Sequence, residues 1–528
     1  MRLTLDTETK SSADLARCGA HKYVEDKDFA VMLLAYGFDD KPLKLIDLTV
    51  GEPIPYEFRE AYADPHVEKW AHNSAFDRIV LDKWLRLTSP LESWWDDMVL
   101  CAMCGLPMGL GAAGAALGVP EDKAKDREGK ALIRWFCQPY RTKKDPTPRW
   151  RDPKDYPEKW EKFKAYCLQD VEAERYQHKL LERWRPDEVE HRGWLVDQKI
   201  NDRGVRIDVT LARSAMRIDE EHKADLTEQA VALTGIENPN SVAQVKSWLA
   251  EQEGIEVPSL NKKVVADVVA QLETDKAKDF MAIRTELAKS STKKYAAMVE
   301  SVCKDDHAKG CFQHYGAGRT GRWAGRRMGA MKAFGADKMG MSDEDIVRAV
   351  DLWRGAHPNV VKLWKALERA AIRCVVHGTP QMSTIGNIGF SLEKGILWMT
   401  LPSGRRISYF GIRYAQGTGK YTKGKKVLSY MGQDQQTKKW VRLETYGPKM
   451  TENLVQATAR DCLRDALIAL DDAGYAICAH IHDEVIITEP VDGRTVDDVA
   501  AIMGKPPAWA ADLPLRGDGY ETEFYKKD

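Results

Sequence analysis

Apolar and polar residues along the first third of the chain follow the patterns of short strands and longer helices. Residues 2–7 alternate between the two classes, and Ala30–Phe38 and 43–48 have the composition of further strands. Helical spacing of apolar residues follows at 78–85 and at 163–178. This mixture predicts an α/β domain over residues 1–187.

The pattern changes twice in the remainder of the chain. Residues 209–305 are rich in helix formers with amphipathic spacing, which predicts a helical linker over residues 188–312. Strand-like and helical runs then alternate again over residues 313–528. Apolar runs on both sides of residues 482–484 predict a hairpin that carries its charges at the turn. We therefore expect three parts of different architecture.

The composition limits the class of protein. Its 43% hydrophobic and 30% charged residues are typical of a folded globular protein, and a net charge of −1 leaves room for a local basic groove. Of ten cysteines only Cys101 and Cys104 are close, and no second pair completes a zinc site. We expect reduced thiols and a cytoplasmic location. No apolar run approaches the roughly 20 residues of a membrane span, and we expect no signal peptide.

Candidate chemistry begins with two acidic residues on the first strand. Asp6 and Glu8 are two positions apart, so their side chains point to the same face. Adjacent carboxylates repel each other unless a cation lies between them, and Mg²⁺ or Mn²⁺ prefers such oxygen ligands. The pair alone is also compatible with a solvated strand face. Asp96 and Asp97, after two tryptophans, we interpret as the start of a helix.

Two later segments, Asn73-x-x-x-Asp77 and Tyr166-x-x-x-Asp170, repeat a spacing of four residues, which places both members of each pair on one helix face. In order and spacing, the three pairs resemble the motifs of the DnaQ-like 3′→5′ exonucleases, tyrosine subtype, over residues 1–180. The resemblance implies a ribonuclease-H-like α/β fold in which the four carboxylates hold two Mg²⁺ or Mn²⁺ ions and the tyrosine positions water. The alternative is that the helical pairs are surface charges and a core tyrosine. The pairs are Asp6-x-Glu8, Asn73-x-x-x-Asp77 and Tyr166-x-x-x-Asp170.

The C-terminal part carries a second set of motifs. At 314–323 small residues alternate with arginines, which permits close approach to phosphates and charge-assisted hydrogen bonds. This segment resembles the Thr-Gly-Arg segment with which family A (DNA polymerase I-like) polymerases hold primer–template DNA. The implied DNA contacts are Arg319, Thr320 and Arg322. A glycine-rich surface turn is the alternative.

Further segments extend this resemblance, in the phage and prophage branch of family A, over nearly the whole chain. Residues 188–312 resemble the thumb, with Ser241 capping one helix and 284–295 forming another. Residues 313–528 resemble an α+β palm, in which Asp483 is a metal ligand and Gln456 and His482 contact DNA.

One block of the family pattern is missing from this palm. The family passes through a strand with Asp-(Phe/Tyr)-Ser-x-x-Glu and then a helix whose Arg, Lys and Tyr embrace the incoming nucleotide. Residues 323–480 contain neither signature, and 328–335 resemble sequence beyond that helix. We therefore place an internal deletion near 323–328. Three explanations remain open. They are a natural deletion, a separate polypeptide that supplies the missing block, and a segment omitted from the sequence.

The resemblance implies a family A polymerase of DNA replication, with an intact proofreading exonuclease and an incomplete palm. The resemblance also implies a location in the cytoplasm of a bacterial or phage-infected cell. Its expected partners are primer–template DNA and single-stranded 3′ ends, with no membrane. A deoxynucleoside triphosphate is expected only if the missing block is supplied. Two alternatives are a stand-alone 3′→5′ exonuclease that clamps DNA with the polymerase remnant, and a non-catalytic DNA-binding or assembly subunit. The intact exonuclease residues weigh against the second alternative.

Overall fold

The computed structural model describes most of the chain and divides it into two compact units. One unit joins Met1–Val205 to Lys309–Asp528, and the other is Arg206–Ala308. The predicted boundaries at residues 187 and 312 are not tested by this division and stay predictions. Part of the predicted deletion site at 323–328 and the segment 328–335 lie outside the described residues. The described residues are 1–125, 129–142, 147–261, 264–289, 292–326, 351–419, 422–434, 437–488 and 493–525.

A mixed five-stranded sheet organises the N-terminal part of the first unit. Its order is β3-β2-β1-β4-β5. The central β1 runs antiparallel to β2 and parallel to β4, and its side chains are largely buried on both faces of the sheet. The predicted strands are confirmed. The five strands are β1 Arg2–Lys10, β2 Ala30–Phe38, β3 Lys44–Asp47, β4 Glu68–Ala71 and β5 Trp94–Asp96.

Helices cover both faces of this sheet. On one face Leu3 and Leu5 pack with the aromatic residues Phe58 and Trp94, and on the other face the side chains of β2 meet a long helix, α8. Short 3-10 helices lie at Leu48–Val50, Leu91–Ser93, Glu121–Lys123, Pro153–Asp155 and Glu182–Trp184. The α-helices are α1 Leu15–Cys18, α2 Ala20–Tyr23, α3 Tyr56–Ala63, α4 Ser74–Leu85, α5 Asp97–Met103, α6 Leu110–Leu117, α7 Gly129–Phe136, α8 Pro157–Leu181 and α9 Glu188–Arg203.

The second unit is helical, as its amphipathic spacing predicts. Its core contains Trp248, Leu249, Phe280 and Met281. Ser241 caps α11 by accepting a hydrogen bond from the backbone N–H of Gln244, which confirms that prediction. The helices are α10 Val209–Thr234, α11 Val242–Glu253, α12 Val265–Ala270, α13 Asp275–Leu287 and α14 Lys293–Ser301. Two short strands, β6 Val205–Arg206 and β7 His307–Ala308, lie at its ends.

The prediction of one helix over 284–295 is wrong. The chain forms α13 and α14 instead, and Ala288 is the C-cap of α13. The stretch between them reads Lys-Ser-Ser-Thr. Serine and threonine side chains compete for backbone hydrogen bonds and so weaken a helix interior.

The remaining part of the first unit contains small antiparallel sheets around two long helices. Leu367 and Ala371 of α15 and Met450 and Ala457 of α16 share one core with these sheets. The predicted hairpin is confirmed as β17–β18. The strands are β8 Phe312–Ala317, β9 Arg322–Gly325, β10 Gln381–Met382, β11 Gly389–Glu393, β12 Ile396–Thr400, β13 Arg406–Tyr409, β14 Arg413–Gln416, β15 Lys426–Gln433, β16 Trp440–Thr445, β17 Ile477–Ile481 and β18 Glu484–Ile487. The helices are α15 Pro358–His377, α16 Gly447–Asp472, α17 Val496–Met503 and a 3-10 helix at Ala508–Ala510.

The chain thus has a mixed α/β architecture. Among the helices of the described ranges, none combines the length and the apolar character needed to cross a bilayer. The cysteines of the chain are free, and nine of the ten are buried, as expected for reduced thiols.

Candidate active site

Strand β1 places Asp6 and Glu8 on the sheet face that meets α8. Asp6 lies opposite Ala35 and Glu8 opposite Leu33 on β2, and residues opposite each other on paired strands share a face. Leu33 and Ala35 belong to the core that contains the α8 side chains. Glu8 is buried and Asp6 half-buried. The predicted shared face is therefore present, and it is covered rather than solvated.

Two helices bring further carboxylates to this strand. Asp77 lies in the first turn of α4, and both the backbone N–H and the hydroxyl of Thr7 donate to its Oδ1, at 3.1 and 2.7 Å. Asp170 lies within α8 and is 5% exposed. Its Oδ2 forms an ion pair with the ammonium of Lys125.

The charges of these carboxylates oppose one another. Burial raises the pKa of Asp6 well above its ordinary value, and the negative charges of Asp77, Glu8 and Asp170 raise it further. Burial, followed by the charge of Asp170, raises the pKa of Glu8 to about 8. Burial also raises the pKa of Asp77 to about 7. Four carboxyl groups therefore share one buried region in which a cation would lower the energy of their ionised forms.

A cysteine that the sequence pattern did not indicate also lies in this region. The Sγ atom of Cys167 and carboxylate oxygens of Asp6 and Glu8 lie within 4.8 Å of one another. Burial, and then the charges of Asp6 and Glu8, raise the pKa of the Cys167 thiol well above its ordinary value. The thiol is therefore protonated at neutral pH, and a neutral sulfur is a poor ligand for a hard cation. Its only sequence signal is its position beside Tyr166.

Tyr166 lies one helical turn before Asp170, as its spacing predicts. Its ring stacks on Phe163 with centroids 6.0 Å apart, and the Lys125 ammonium lies 5.0 Å from its centroid. Burial and the charge of Asp170 raise the pKa of its phenol, so the hydroxyl keeps its proton. Gly129 approaches the ring so closely that a Cβ there would lie 1.9 Å from Tyr166 Cε2. A larger residue at 129 would displace the ring.

Asn73 does not share a helix face with Asp77, because α4 begins at Ser74. Asn73 is the N-cap residue, in the left-handed conformation with φ 73°, and its backbone N–H donates to Asp96 Oδ1 at 3.0 Å. The same oxygen accepts from the N–H of Met98, so Asp96 caps α5 as predicted. The predicted helix-face pair is therefore corrected to a cap residue followed by a first-turn carboxylate.

Arg319, Thr320 and Arg322 lie at or beside the β8–β9 turn. The guanidinium of Arg319 lies over the Tyr430 ring, 3.8 Å from its centroid, and Arg322 Nη2 lies 3.0 Å from His482 Nδ1 at the β17–β18 turn. Thr320 is only 4% exposed. Gln456 is half-buried on α16 and donates to Glu452 Oε1 at 3.3 Å.

Asp483 is exposed at the β17–β18 turn. Within the described ranges, the group of residues that could hold a metal ion together is Asp6, Glu8 and Cys167. Asp483 therefore belongs to no group of three or more such ligands within those ranges. The adjacent Glu484 accepts a hydrogen bond from the Tyr525 hydroxyl at 3.3 Å.

A buried charge cluster, which the sequence analysis missed, holds the β8–β9 turn. Glu190 of α9 accepts hydrogen bonds from Arg460 at 2.5 and 2.7 Å and from Arg464 at 3.2 Å, both on α16. Arg460 Nε also donates to the carbonyl of Gly321 at 3.0 Å, and Arg405 Nη2 donates to that of Thr320 at 2.9 Å. The turn that carries the predicted DNA contacts is thus fixed through its backbone.

Comparison with known proteins adds the following. No model of a protein family matches the chain. The DNA polymerase of Bacillus phage SP02 is 35% identical over an alignment of 653 positions that covers 100% of both chains. Because this chain has 528 residues, at least 125 of those positions have no residue here.

Among solved structures, the POL domain of Pol1 from M. smegmatis, in complex with DNA primer-template and dNTP, has a similar fold. It matches 98% of this chain and 93% of its own, with a TM-score of 0.53 and 12% identity. The apo form of a nuclease matches 34% of this chain and 72% of its own at 16% identity, with a TM-score of 0.23 that is too low to inform the fold.

Proposed function

The chain belongs to the phage-type family A DNA polymerases, and on that premise we propose that residues 1–187 form a ribonuclease-H-like 3′→5′ exonuclease domain. It removes nucleotides from the 3′ ends of DNA during replication. The observation that carries this proposal is that four carboxyl groups share one largely buried region and three of them have raised pKa values. They belong to Asp6, Glu8, Asp77 and Asp170.

Mg²⁺ or Mn²⁺ fits this donor set. The four side chains offer hard oxygen ligands, and their mutual repulsion is what a divalent cation would relieve. When bound, two such ions would activate water and stabilise the attacking and leaving oxygens of a phosphodiester. We assign Asp6, Glu8, Asp77 and Asp170 as their ligands.

Side chains of this domain position the attacking water and the strand end, and one of them keeps a phenolic proton. The Tyr166 phenol keeps its proton and can donate or accept a hydrogen bond with the attacking water, one helical turn from Asp170. We also assign Asn73, the N-cap residue of α4, to contact with the strand end. Digestion of a 5′-labelled single strand in Mg²⁺, with EDTA as the control, tests this function.

Replacing Tyr166 by phenylalanine is expected to lower kcat by about 10²-fold, the range for loss of one proton-positioning group, with little change in metal affinity. Gly129→Ala is expected to reproduce part of this loss by moving the ring. Steady-state digestion measures kcat, and titration with Mn²⁺ measures the metal affinity. Gly109→Ala, where a Cβ meets nothing within 4 Å, is the matched control. A Tyr166→Phe variant with full kcat would remove the tyrosine from the mechanism.

We further propose that the C-terminal part holds the primer–template duplex. Arg319, Arg322 and His482 lie around the fixed β8–β9 turn, where cationic side chains can reach phosphates. Thr320 acts through the position of its backbone, since its side chain is buried. Gln456 contacts the duplex from α16. Contacts to phosphates do not distinguish between DNA sequences.

Arg319→Ala and Arg322→Ala are each expected to weaken duplex binding for all sequences. Each should also reduce the slope of log K against log salt by about one unit, because one phosphate contact is lost. Fluorescence anisotropy at several salt concentrations measures both effects. The control is Arg59→Ala, which removes an exposed arginine from α3. An unchanged slope would show that the segment is a surface turn.

We propose that this chain does not extend primers by itself. Two-metal phosphoryl transfer requires several carboxylates around the two metal ions, and Asp483 belongs to no group of three or more potential ligands within the described ranges. The alignment with the phage relative has at least 125 positions without a residue of this chain, which supports the proposal that a block is missing. A nucleoside triphosphate would bind only if a second polypeptide supplied the missing block. The alternative function, a stand-alone exonuclease with a duplex clamp, rests on the same observations.

A further inference from the structure

A lysine reaches the carboxylate region from the segment that precedes α7. The ammonium of Lys125 forms an ion pair with Oδ2 of Asp170, and it lies 5.0 Å from the centroid of the Tyr166 ring. An ammonium within about 6 Å of an aromatic centroid is attracted to the face of the ring. Lys125 therefore contacts two of the residues to which the exonuclease chemistry is assigned.

The backbone next to Lys125 is fastened to α8. The side-chain amide of Gln169 donates to the carbonyls of Asp122 and Ala124, at 3.1 and 3.0 Å. These hydrogen bonds join the segment directly before Lys125 to the residue directly before Asp170. The lysine side chain therefore starts from a fixed point beside this carboxylate.

The charge of Lys125 also reaches the two carboxylates of β1. Burial raises the pKa of Asp6 and of Glu8, and the negative charges around them raise it further, whereas the charge of Lys125 lowers the pKa of both groups. Asp6, Glu8 and Asp170 are also the residues that we assign as ligands of the divalent ions. A cation of the protein and cations from solution are therefore attracted to the same oxygen atoms.

The lysine and a divalent ion cannot both occupy Asp170 Oδ2 without a cost in free energy. Mg²⁺ binds carboxylate oxygens at about 2.0–2.1 Å, and a second positive charge a few ångströms away repels it. The side chain of Lys125 is 28% exposed, so its ammonium has a path to water when it leaves Asp170. We propose that Lys125 is a built-in counter-cation that competes with the divalent ion for Asp170.

This inference rests on the proposed exonuclease function, on which the carboxylates are assigned as metal ligands, and it adds a determinant of their metal affinity. Lys125 stabilises the carboxylates when divalent ions are scarce, and a metal ion must displace it. Coupling between two binding equilibria is reciprocal, so the free energy that the ion pair gives the protein is lost from metal binding. Lys125 is thus a positioning residue that acts through Asp170 and raises the metal concentration that the site requires.

Titration of the full-length protein with Mn²⁺ alone, without DNA, tests this proposal. Electron paramagnetic resonance measures the Mn²⁺ that stays free. We expect Lys125→Met to bind Mn²⁺ about 10-fold more tightly than the wild type, because an opposite charge this close alters the ionisation of a carboxylate by at least roughly that factor. Without divalent ions the same variant should melt at a lower temperature, and Mn²⁺ should raise its melting temperature more than that of the wild type.

Three further variants show whether the charge acts through Asp170. Lys125→Arg keeps the charge, so its Mn²⁺ affinity should stay close to that of the wild type. Lys162→Met removes an exposed lysine from the same helix as Asp170 and should have no effect. In an Asp170→Asn background, Lys125→Met should tighten Mn²⁺ binding much less, as a double-mutant cycle requires of two coupled groups.

Unchanged or weaker Mn²⁺ binding by folded Lys125→Met protein would overturn the proposal, because a purely structural lysine would not oppose the metal. Lys125→Gln, a second uncharged variant, provides the same test if the methionine variant does not fold. An equally large effect in the Asp170→Asn background would also overturn it.

The Asp6→Ala protein separates this inference from the proposed function. If it binds Mn²⁺ as the wild type does, the carboxylates are not the metal site, and both proposals fail. If Asp6→Ala loses Mn²⁺ binding while Lys125→Met leaves it unchanged, the metal site stands and only the role of Lys125 fails.

Discussion

Replacing Asp6 by alanine is expected to abolish removal of nucleotides from DNA 3′ ends. Asp6 and Glu8 extend from one strand toward the same buried region, and the charges of Asp77 and Asp170 act on Asp6 directly. Removal of one oxygen donor from such a site would leave the bound ions without one of their ligands. The loss of several kcal/mol of metal-derived stabilisation corresponds to roughly a thousandfold or larger decrease in rate. Asp77→Ala should have the same effect.

Gel analysis of 5′-labelled single strands in Mg²⁺ or Mn²⁺ measures this loss. Glu60→Ala, which removes an exposed carboxylate from α3, is the control and should keep full activity. Without divalent ions, the Asp6→Ala protein should melt no lower than the wild type. The raised pKa of Asp6 means that the ionised form of this side chain destabilises the fold at neutral pH. Removing the carboxylate therefore relieves its repulsion with the neighbouring carboxylates. Unchanged digestion by folded Asp6→Ala protein would contradict the assignment.

Replacing Glu190 by alanine is expected to lower the free energy of unfolding by about 3–5 kcal/mol, since it leaves buried cations without their partner. Glu190 is 2% exposed and bonds Arg460 and Arg464. Because these arginines lie on α16 and Glu190 on α9, the change separates elements distant in the chain. It should also loosen the β8–β9 turn, which Arg460 holds through Gly321.

Urea unfolding measures this change, with Glu188→Ala as the control at an exposed position of the same helix. The contribution of Glu190 depends on pH in a defined direction. Burial opposes its ionisation, but Arg460 and its other cationic neighbours hold its pKa well below the ordinary value. The stabilisation that Glu190 provides is therefore fully present at pH values above its ordinary pKa. It is lost as the pH falls toward the lowered pKa. A Glu190→Ala protein as stable as wild type at neutral pH would contradict this account of the cluster.

Local spacing was sufficient to predict the parts of the site that lie within single elements. The period of two in a strand places Asp6 and Glu8 on one face, and the helical period places Tyr166 one turn from Asp170. Both predictions hold in the structure. The same is true of the hairpin around Asp483 and the cap at Ser241.

The residues that sequence reasoning missed act across long separations in the chain. Lys125 pairs with Asp170 across 45 residues, and Glu190 pairs with Arg460 across 270. No periodicity links such positions, because tertiary packing alone brings them together. Gly129 and Cys167 are similar cases, since a glycine that admits a tyrosine ring has no local signature. The start of α4 at Ser74, rather than at Asn73, reflects the limited precision with which capping can be placed from sequence.

The central claim is that this chain shortens DNA from its 3′ ends and does not lengthen it. One reaction tests both halves directly: a 5′-labelled primer annealed to a longer template, incubated with the purified 528-residue protein, Mg²⁺ and all four deoxynucleoside triphosphates. The account predicts a ladder of products shorter than the primer, absent in EDTA, and no longer products. Extension products, with mass spectrometry showing this chain alone, would contradict it and would require another carboxylate, such as Asp351 or Glu484, to complete the site of Asp483.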